Sequence, residues 1–193
     1  MANKDAAFGL RPIGKVGQNK DNQGLSEYSI AASSSAIYQN DPVQALATGY
    51  IGVQNTTTGV ILGSLNGVFY TDASTSKPTW ANHLAAGNTA TDIVGFVADD
   101  PYERFEVQAD STLAIADIGM NADISFKAGT SPNFISKSEV LTSAVVSTTA
   151  QFKILGVAKD IENSEKANAT TYAANVNVVG TINEHFLKQV AGI

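Results

Sequence analysis

Residues 91–110, TDIVGFVADDPYERFEVQAD, constrain the fold more than any other stretch of the chain. Ile93, Val94, Phe96, Val97 and Ala98 form a nearly continuous apolar run, the pattern of a strand covered on both faces. Asp99, Asp100 and Pro101 then supply turn chemistry, since Asp tolerates unusual dihedrals and Pro presets one of them. Beyond the turn, Phe105, Val107 and Ala109 alternate with Arg104, Glu106 and Gln108. That period of two puts one face on a core and the other in water or on a partner. The stretch reads as a β-hairpin that frames the fold.

The same pattern runs along the rest of the chain. Short strands are expected at 28–32, 36–38, 43–47, 50–54, 60–62, 67–70, 113–117, 122–126, 151–158 and 174–182, with turn residues such as Asn40-Asp41-Pro42 between them. Residues 71–90 read as a polar loop anchored by Trp80, residues 128–149 as a long loop or weak strands, and residues 159–170 as room for one helical turn. No amphipathic helix of three or more turns is visible. The expected fold is therefore all-β, a β-sandwich or β-barrel of jelly-roll or β-tulip-like form, with long loops. A length of 193 residues suits one domain, divided into an extended N-terminal arm at 1–27 and a single β-rich body at 28–193.

The arm stands out by composition. Gly9, Pro12, Gly14, Gly17 and Gly24 recur too often for a helix, while Phe8, Leu10, Ile13 and Val16 are too apolar for a plain linker. An extended segment lying in a groove, of this subunit or a neighbour, fits both facts. Residues 1–20 carry a net charge of +3 and the remainder −9. A basic arm on an acidic body docks on something acidic, either a partner or the protein's own body. Phe8, Leu10, Arg11, Pro12, Ile13, Lys15 and Val16 are the expected partner-binding residues. Charged residues make up only 16% of the chain against a usual quarter or so, and no Lys or Arg occurs between Asp21 and Ser76, which suggests a region covered by other subunits.

Chemistry is harder to find. The absence of Cys removes disulfides, thiolate metal sites and a Cys nucleophile. His83 and His185 lack a second His at a metal-ligand spacing. Asp99, Asp100 and Glu103 form an acidic turn with oxygens for a hard cation, but no Gly-bracketed ligand series follows, and a solvated turn is the expectation. There is no G-x-S-x-G elbow, no phosphate-cradling loop and no basic stripe with interleaved aromatics for nucleic acid. The glycines at 59, 63 and 67 read as turns and close strand contacts. No apolar run approaches the ~18 residues of a membrane helix, and MANKDAAFGLRPIGK has charges, Gly and Pro where a secretory segment needs apolar residues. The expectation is a non-enzymatic, cofactor-free and metal-free protein without nucleic-acid or membrane partners, made in a cytoplasm and used there or carried out inside something larger.

Six segments resemble a known family: FGLRPIGKVGQ at Phe8–Gln18, NDPV at Asn40–Val43, ILGSLNGVFYTD at Ile61–Asp72, the 91–110 stretch, FKILGVAKDIENS at Phe152–Ser164 and INEHFL at Ile182–Leu187. Together they are similar to small virion structural proteins of tailed bacteriophages, interpreted as head decoration or cement proteins. The resemblance implies a protein on the capsid exterior, assembled in the bacterial cytoplasm, a homotrimer whose partner is the major capsid protein of the same phage. It implies capsid stabilisation through many weak contacts, with the arm able to add a strand to a neighbouring sheet. Two alternatives stand beside it: a tail or host-recognition β-sandwich in which Trp80 stacks on a sugar, and, more remotely, a shell subunit, which needs a long spine helix.

Overall fold

The computed structural model describes residues 3–17 and 24–188; residues 18–23 of the expected arm and 189–193 of the C-terminal tail lie outside the described residues, as do the first two. Strands account for 40% of the chain and helix for 5%, so the fold is all-β. In chain order the strands are β1 (Arg11–Lys15), β2 (Ser26–Ser29), β3 (Pro42–Ala45), β4 (Ile51–Val53), β5 (Gly63–Thr71), β6 (Pro78–Ala81), β7 (Val94–Ala98), β8 (Glu103–Gln108), β9 (Leu113–Ala114), β10 (Asn121–Ala122), β11 (Ile124–Ser125), β12 (Glu139–Val140), β13 (Phe152–Val157), β14 (Thr171–Tyr172) and β15 (Asn177–Ile182). Three short 3-10 turns, at Ile115–Asp117, Thr142–Ala144 and Phe186–Lys188, are the helical structure among the described residues.

Two antiparallel sheets dominate. The first has the order β1-β8-β15-β13-β10, the second β2-β7-β5-β3-β4 with β6 added beside β5. Two-stranded ribbons, β11-β12 and β14-β9, complete the molecule. Each large sheet has its own hydrophobic cluster. Phe105, Val107, Phe152, Ile154, Val178 and Ile182 of the first sheet pack with Leu113, Ile124, Val140 and Val176 from the ribbons and loops. Val43, Ile51, Leu65, Val68 and Val97 of the second pack with Ile30, Ile37, Leu84 and Ile93. Ile61 and Ala98, from the second sheet's side of the chain, belong to the first cluster, as does Leu10 of the N-terminal segment.

The 91–110 stretch is not a hairpin. β7 lies between β2 and β5, and β8 lies between β1 and β15, so both edges of each strand are already taken and the two cannot pair. The Asp100-Pro101-Tyr102 turn is made as its chemistry predicts, with Tyr102 N donating to Asp100 Oδ1 at 2.8 Å and Glu103 N to the Asp100 carbonyl at 3.0 Å. It carries the chain from one sheet to the other. β8 also differs from the one-sided strand expected: Glu106 and Gln108 are buried, at 8% and 1% exposure, because its polar face is covered.

Other expectations shift for local reasons. The polar excursion at 71–90 contains β6, whose Trp80 pairs across from Phe69, so Trp80 lies on a strand. The run at 67–70 lies within the longer β5, which begins at Gly63 and has a bulge between Leu65 and Gly67, whereas 60–62 forms no strand and only Ile61 makes an isolated bridge, to His185. In place of the helical turn at 159–170, side-chain-capped turns form: Asp160 Oδ1 accepts Glu162 N at 3.0 Å, and Asn168 Oδ1 accepts Thr170 N at 2.8 Å and Thr171 N at 3.0 Å.

Candidate partner-binding surface

The N-terminal segment lies extended across the first sheet, held mainly through its backbone. Gln108 Oε1 accepts Ala6 N at 2.9 Å and Gln108 Nε2 donates to the Lys4 carbonyl at 3.0 Å, which also accepts Asn163 Nδ2 at 2.8 Å. Asn40 Nδ2 donates to the Phe8 carbonyl at 3.0 Å, Leu10 N to the Asn40 carbonyl at 2.9 Å, and Ser64 Oγ to the Leu10 carbonyl at 2.6 Å. Gly9, at φ +72°, makes this approach possible, since a Cβ there would overlap the Asn40 carbonyl and Ser136. β1 then pairs antiparallel with β8, from Arg11 opposite Glu106 to Lys15 opposite Glu103.

The seven arm residues named above fall into two groups. Leu10 is fully buried in the first core cluster, and Arg11 and Lys15 pair with acidic groups of the body: Arg11 Nη2, on a half-exposed side chain, is 2.6 Å from Glu106 Oε2, with its guanidinium 4.5 Å from the Phe8 ring centroid, and Lys15 Nζ is 2.8 Å from Asp100 Oδ2. In this chain the basic arm docks on its own acidic body. Ile13 and Val16 face outward, 41% and 49% exposed. Close by are Leu25 at 39% and Tyr102 at 64%, whose carbonyl accepts Val16 N at 2.9 Å. A cleft of about 200 Å³ opens among Pro12, Ile13, Leu25, Ala98, Asp99 and Glu103.

β1 is an edge strand, but a protected one. Pro12 removes a donor, the register slips between Pro12 and Gly14, and Gly14 N donates to Glu103 Oε1 at 3.0 Å. The outer side of β1 thus offers side chains more readily than a ladder for another strand.

The acidic turn is a structural hub. Asp99 accepts Ser26 Oγ at 2.9 Å and Tyr28 Oη at 2.6 Å; burial and the Asp99 carboxylate push the Tyr28 phenol upward. The hydrogen bond from Lys15 holds Asp100 below the usual carboxylate range, and burial raises Glu103. Asp99 and Glu103, 8% and 9% exposed, are buried and fasten β2 and β1, while Asp100 and Tyr102 between them reach solvent. Among the described residues no group of three His, Asp or Glu converges on a metal site. His185 is fully buried beside this corner, its Nδ1 accepting Leu187 N at 3.1 Å, and burial with the neighbouring Lys188 pushes it down to about 4. His83 stacks on Phe134, ring centroids 3.9 Å apart.

No protein-family model, curated protein or solved structure matches the chain. The surface is therefore read from its geometry.

A second exposed group lies on the outer face of the other sheet. Trp80 is 54% exposed, crosses Gly67 and meets Phe96 with ring centroids 4.9 Å apart, beside Phe69 at 41% exposure. Trp80 stands out in the sequence, which does not signal this grouping. Nor does the sequence signal Gln108, Asn163, Asn40 and Ser64 as arm anchors, because their partners lie 102, 159, 32 and 54 residues away. The alternation in β8 was the available signal: it set Glu106 and Gln108 on one face without saying what covers them.

Proposed function

We propose that the protein is a structural component of a phage virion that binds the outside of the capsid and stabilises it as a decoration protein, assembling as a trimer with the major capsid protein as its partner. The observation that carries this reading is the outward group Ile13, Val16, Leu25 and Tyr102, presented by backbone that is fastened to the acidic turn. Apolar side chains on a rigid, hydrogen-bonded base lose little entropy on docking. The charged groups beside them, the Lys15–Asp100 pair and Lys188 against the Tyr102 ring, suit a contact repeated many times over a shell, where each contact is weak and the sum is large. The six segments similar to tailed-phage virion proteins include all of this surface but Leu25: Phe8–Gln18 supplies Ile13 and Val16, and residues 91–110 supply Tyr102 and the turn beneath them.

Immunogold labelling of intact virions tests the reading. Label over the heads is the expected result; label confined to tails, or none on the particle, overturns it.

The second reading, a tail or host-recognition protein, draws on the aromatic face at Trp80, Phe69 and Phe96. Exposed aromatic rings of this kind stack on the apolar faces of sugars. Tail label together with quenching of Trp80 fluorescence by a host glycan would favour it.

A further inference from the structure

Three cations gathered at the outer face of the first sheet make no ion pair with a carboxylate among the described residues. We infer that Arg104, Lys153 and Lys188 form a seat for carboxylate groups, and that its occupant is an acidic segment of a protein partner.

Strand register brings the seat together. Arg104 of β8 lies opposite Thr181 of β15, and Thr181 lies opposite Lys153 of β13, so the three share one face. Their chain neighbours Phe105, Ile182 and Ile154 belong to the first core cluster, which sets Arg104, Thr181 and Lys153 outward. Arg104 and Lys153 are two strands apart, about 10 Å, a span that two long side chains close around one acidic group. On the other side of Arg104 stands Gly14, which has no side chain to cover the guanidinium. Lys188 joins from the turn after β15: its Nζ donates to the Ile182 carbonyl at 3.3 Å and lies 5.2 Å from the Tyr102 ring centroid.

The electrostatics favour an anion at this place. Arg104 Nε is buried and makes no hydrogen bond. The nearby carboxylates are engaged elsewhere: Asp100 by Lys15, Glu106 by Arg11, and Glu103 by the Gly14 amide. Burial lowers the Lys188 ammonium; Asp100 opposes that shift and Lys153 adds to it, so the two ammonium groups stand within each other's field. A carboxylate between the cations relieves that repulsion and gives the Arg104 guanidinium an acceptor. Exposed apolar side chains adjoin the seat, Leu155 beside Lys153 and Leu187 beside Lys188. Cations mixed with apolar groups suit a protein surface bearing Asp or Glu, whereas a nucleic-acid backbone meets a chain whose net charge is −6. The seat is read from this chain alone; that a shell supplies the carboxylates rests on the decoration reading.

Arg104 carries its own reporter. In 1H–15N spectra of the full-length protein its Nε–H signal stands apart from the backbone amides. Hexaglutamate peptide, titrated to ~10 mM, is expected to shift that signal together with the amides of Lys153 and Thr181. A Lys153→Gln, Lys188→Gln variant, whose spectrum also reports its fold, should bind the peptide about tenfold more weakly. An unmoved Arg104 signal, equal binding by the variant, or tighter binding of an oligothymidylate of the same length would overturn the seat. Sedimentation with phage shells separates the two readings. Native protein that binds hexaglutamate but not shells keeps the seat and overturns the shell as its partner. Native and variant proteins that sediment equally leave the decoration reading standing and overturn the seat's part in it.

Discussion

Gln108 clamps the backbone at Ala6: its Oε1 accepts the Ala6 amide at 2.9 Å while its Nε2 reaches the Lys4 carbonyl two residues back at 3.0 Å. One fully engaged carboxamide thus fixes the N-terminal segment to the face of β8. Gln108→Ala is expected to cost about 1–3 kcal/mol, the penalty for buried groups left unpaired. Hydrogen exchange at Ala6 should accelerate more than exchange within β13 and β15. Unchanged exchange at Ala6 would show that the clamp does not hold the segment.

Two buried groups titrate in opposite senses. Burial raises Asp41 from 3.8 to about 6, and its Oδ2 accepts Tyr38 N at 2.8 Å; burial and Lys188 lower His185 from 6.5 to about 4. Between pH 6 and pH 4 the folded protein protonates Asp41 before the unfolded chain does, so acidification stabilises. From pH 6.5 to pH 4 the unfolded chain protonates His185 first, so the same acidification destabilises. The native protein should therefore show a shallow dependence across this range. Asp41→Asn should make stability fall on acidification, and His185→Asn should make it rise, each by on the order of 2 kcal/mol across the window. Denaturant titrations from pH 4 to pH 7 check both slopes, and parallel profiles for the three proteins would contradict the assignment.

Two glycines on the β13–β15 pair should respond differently. A Cβ at Gly180 would run into the Lys153 carbonyl and the Phe152 ring, whereas one at Gly156 has nothing within 4 Å. Gly180→Ala is expected to lose about 1–3 kcal/mol by overpacking. Gly156→Ala should be neutral or gain up to about 1 kcal/mol from reduced freedom of the unfolded chain. Thermal melts of the two variants read the difference directly.

Trp80 is the chain's one tryptophan, so its fluorescence reports its contact with Phe96. A Cβ at Gly67 would lie 2.6 Å from Trp80 Cζ2. Gly67→Ala should lift the ring from Phe96 and shift its emission to longer wavelength, with about 1–2 kcal/mol of stability lost. An unshifted spectrum would mean that the ring does not depend on the space above Gly67.

The all-β class was legible because strand periodicity and turn residues are local. β13 shows it well: Phe152 and Ile154 alternate with Lys153 and Leu155, and burial follows the alternation. The pairing of strands was not legible, since it depends on competition for edges. The Asp100-Pro101-Tyr102 turn is correct in its local chemistry, yet β7 and β8 part company because β2, β5, β1 and β15 occupy their edges. The arm shows the same limit. Its composition marked it as extended and groove-bound, and its charge pointed to an acidic surface, but only the fold places Glu106 opposite Arg11 and Asp100 beside Lys15. The arm is not separable from the body by removing residues 1–20. Leu10 lies in the first core cluster and Gly14 N bonds to buried Glu103, so such a truncation would expose core as well as remove a contact surface.

Substitution at Ile13 and Val16, both exposed, leaves those core contacts in place. The most direct measurement of the central claim is therefore co-sedimentation of the full-length protein with purified phage shells that lack it, alongside a folded Ile13→Asp, Val16→Asp variant. The native protein is expected to sediment with the shells and raise their melting temperature, and the variant to bind at least about tenfold more weakly. Native protein that stays in the supernatant at every concentration would contradict the account.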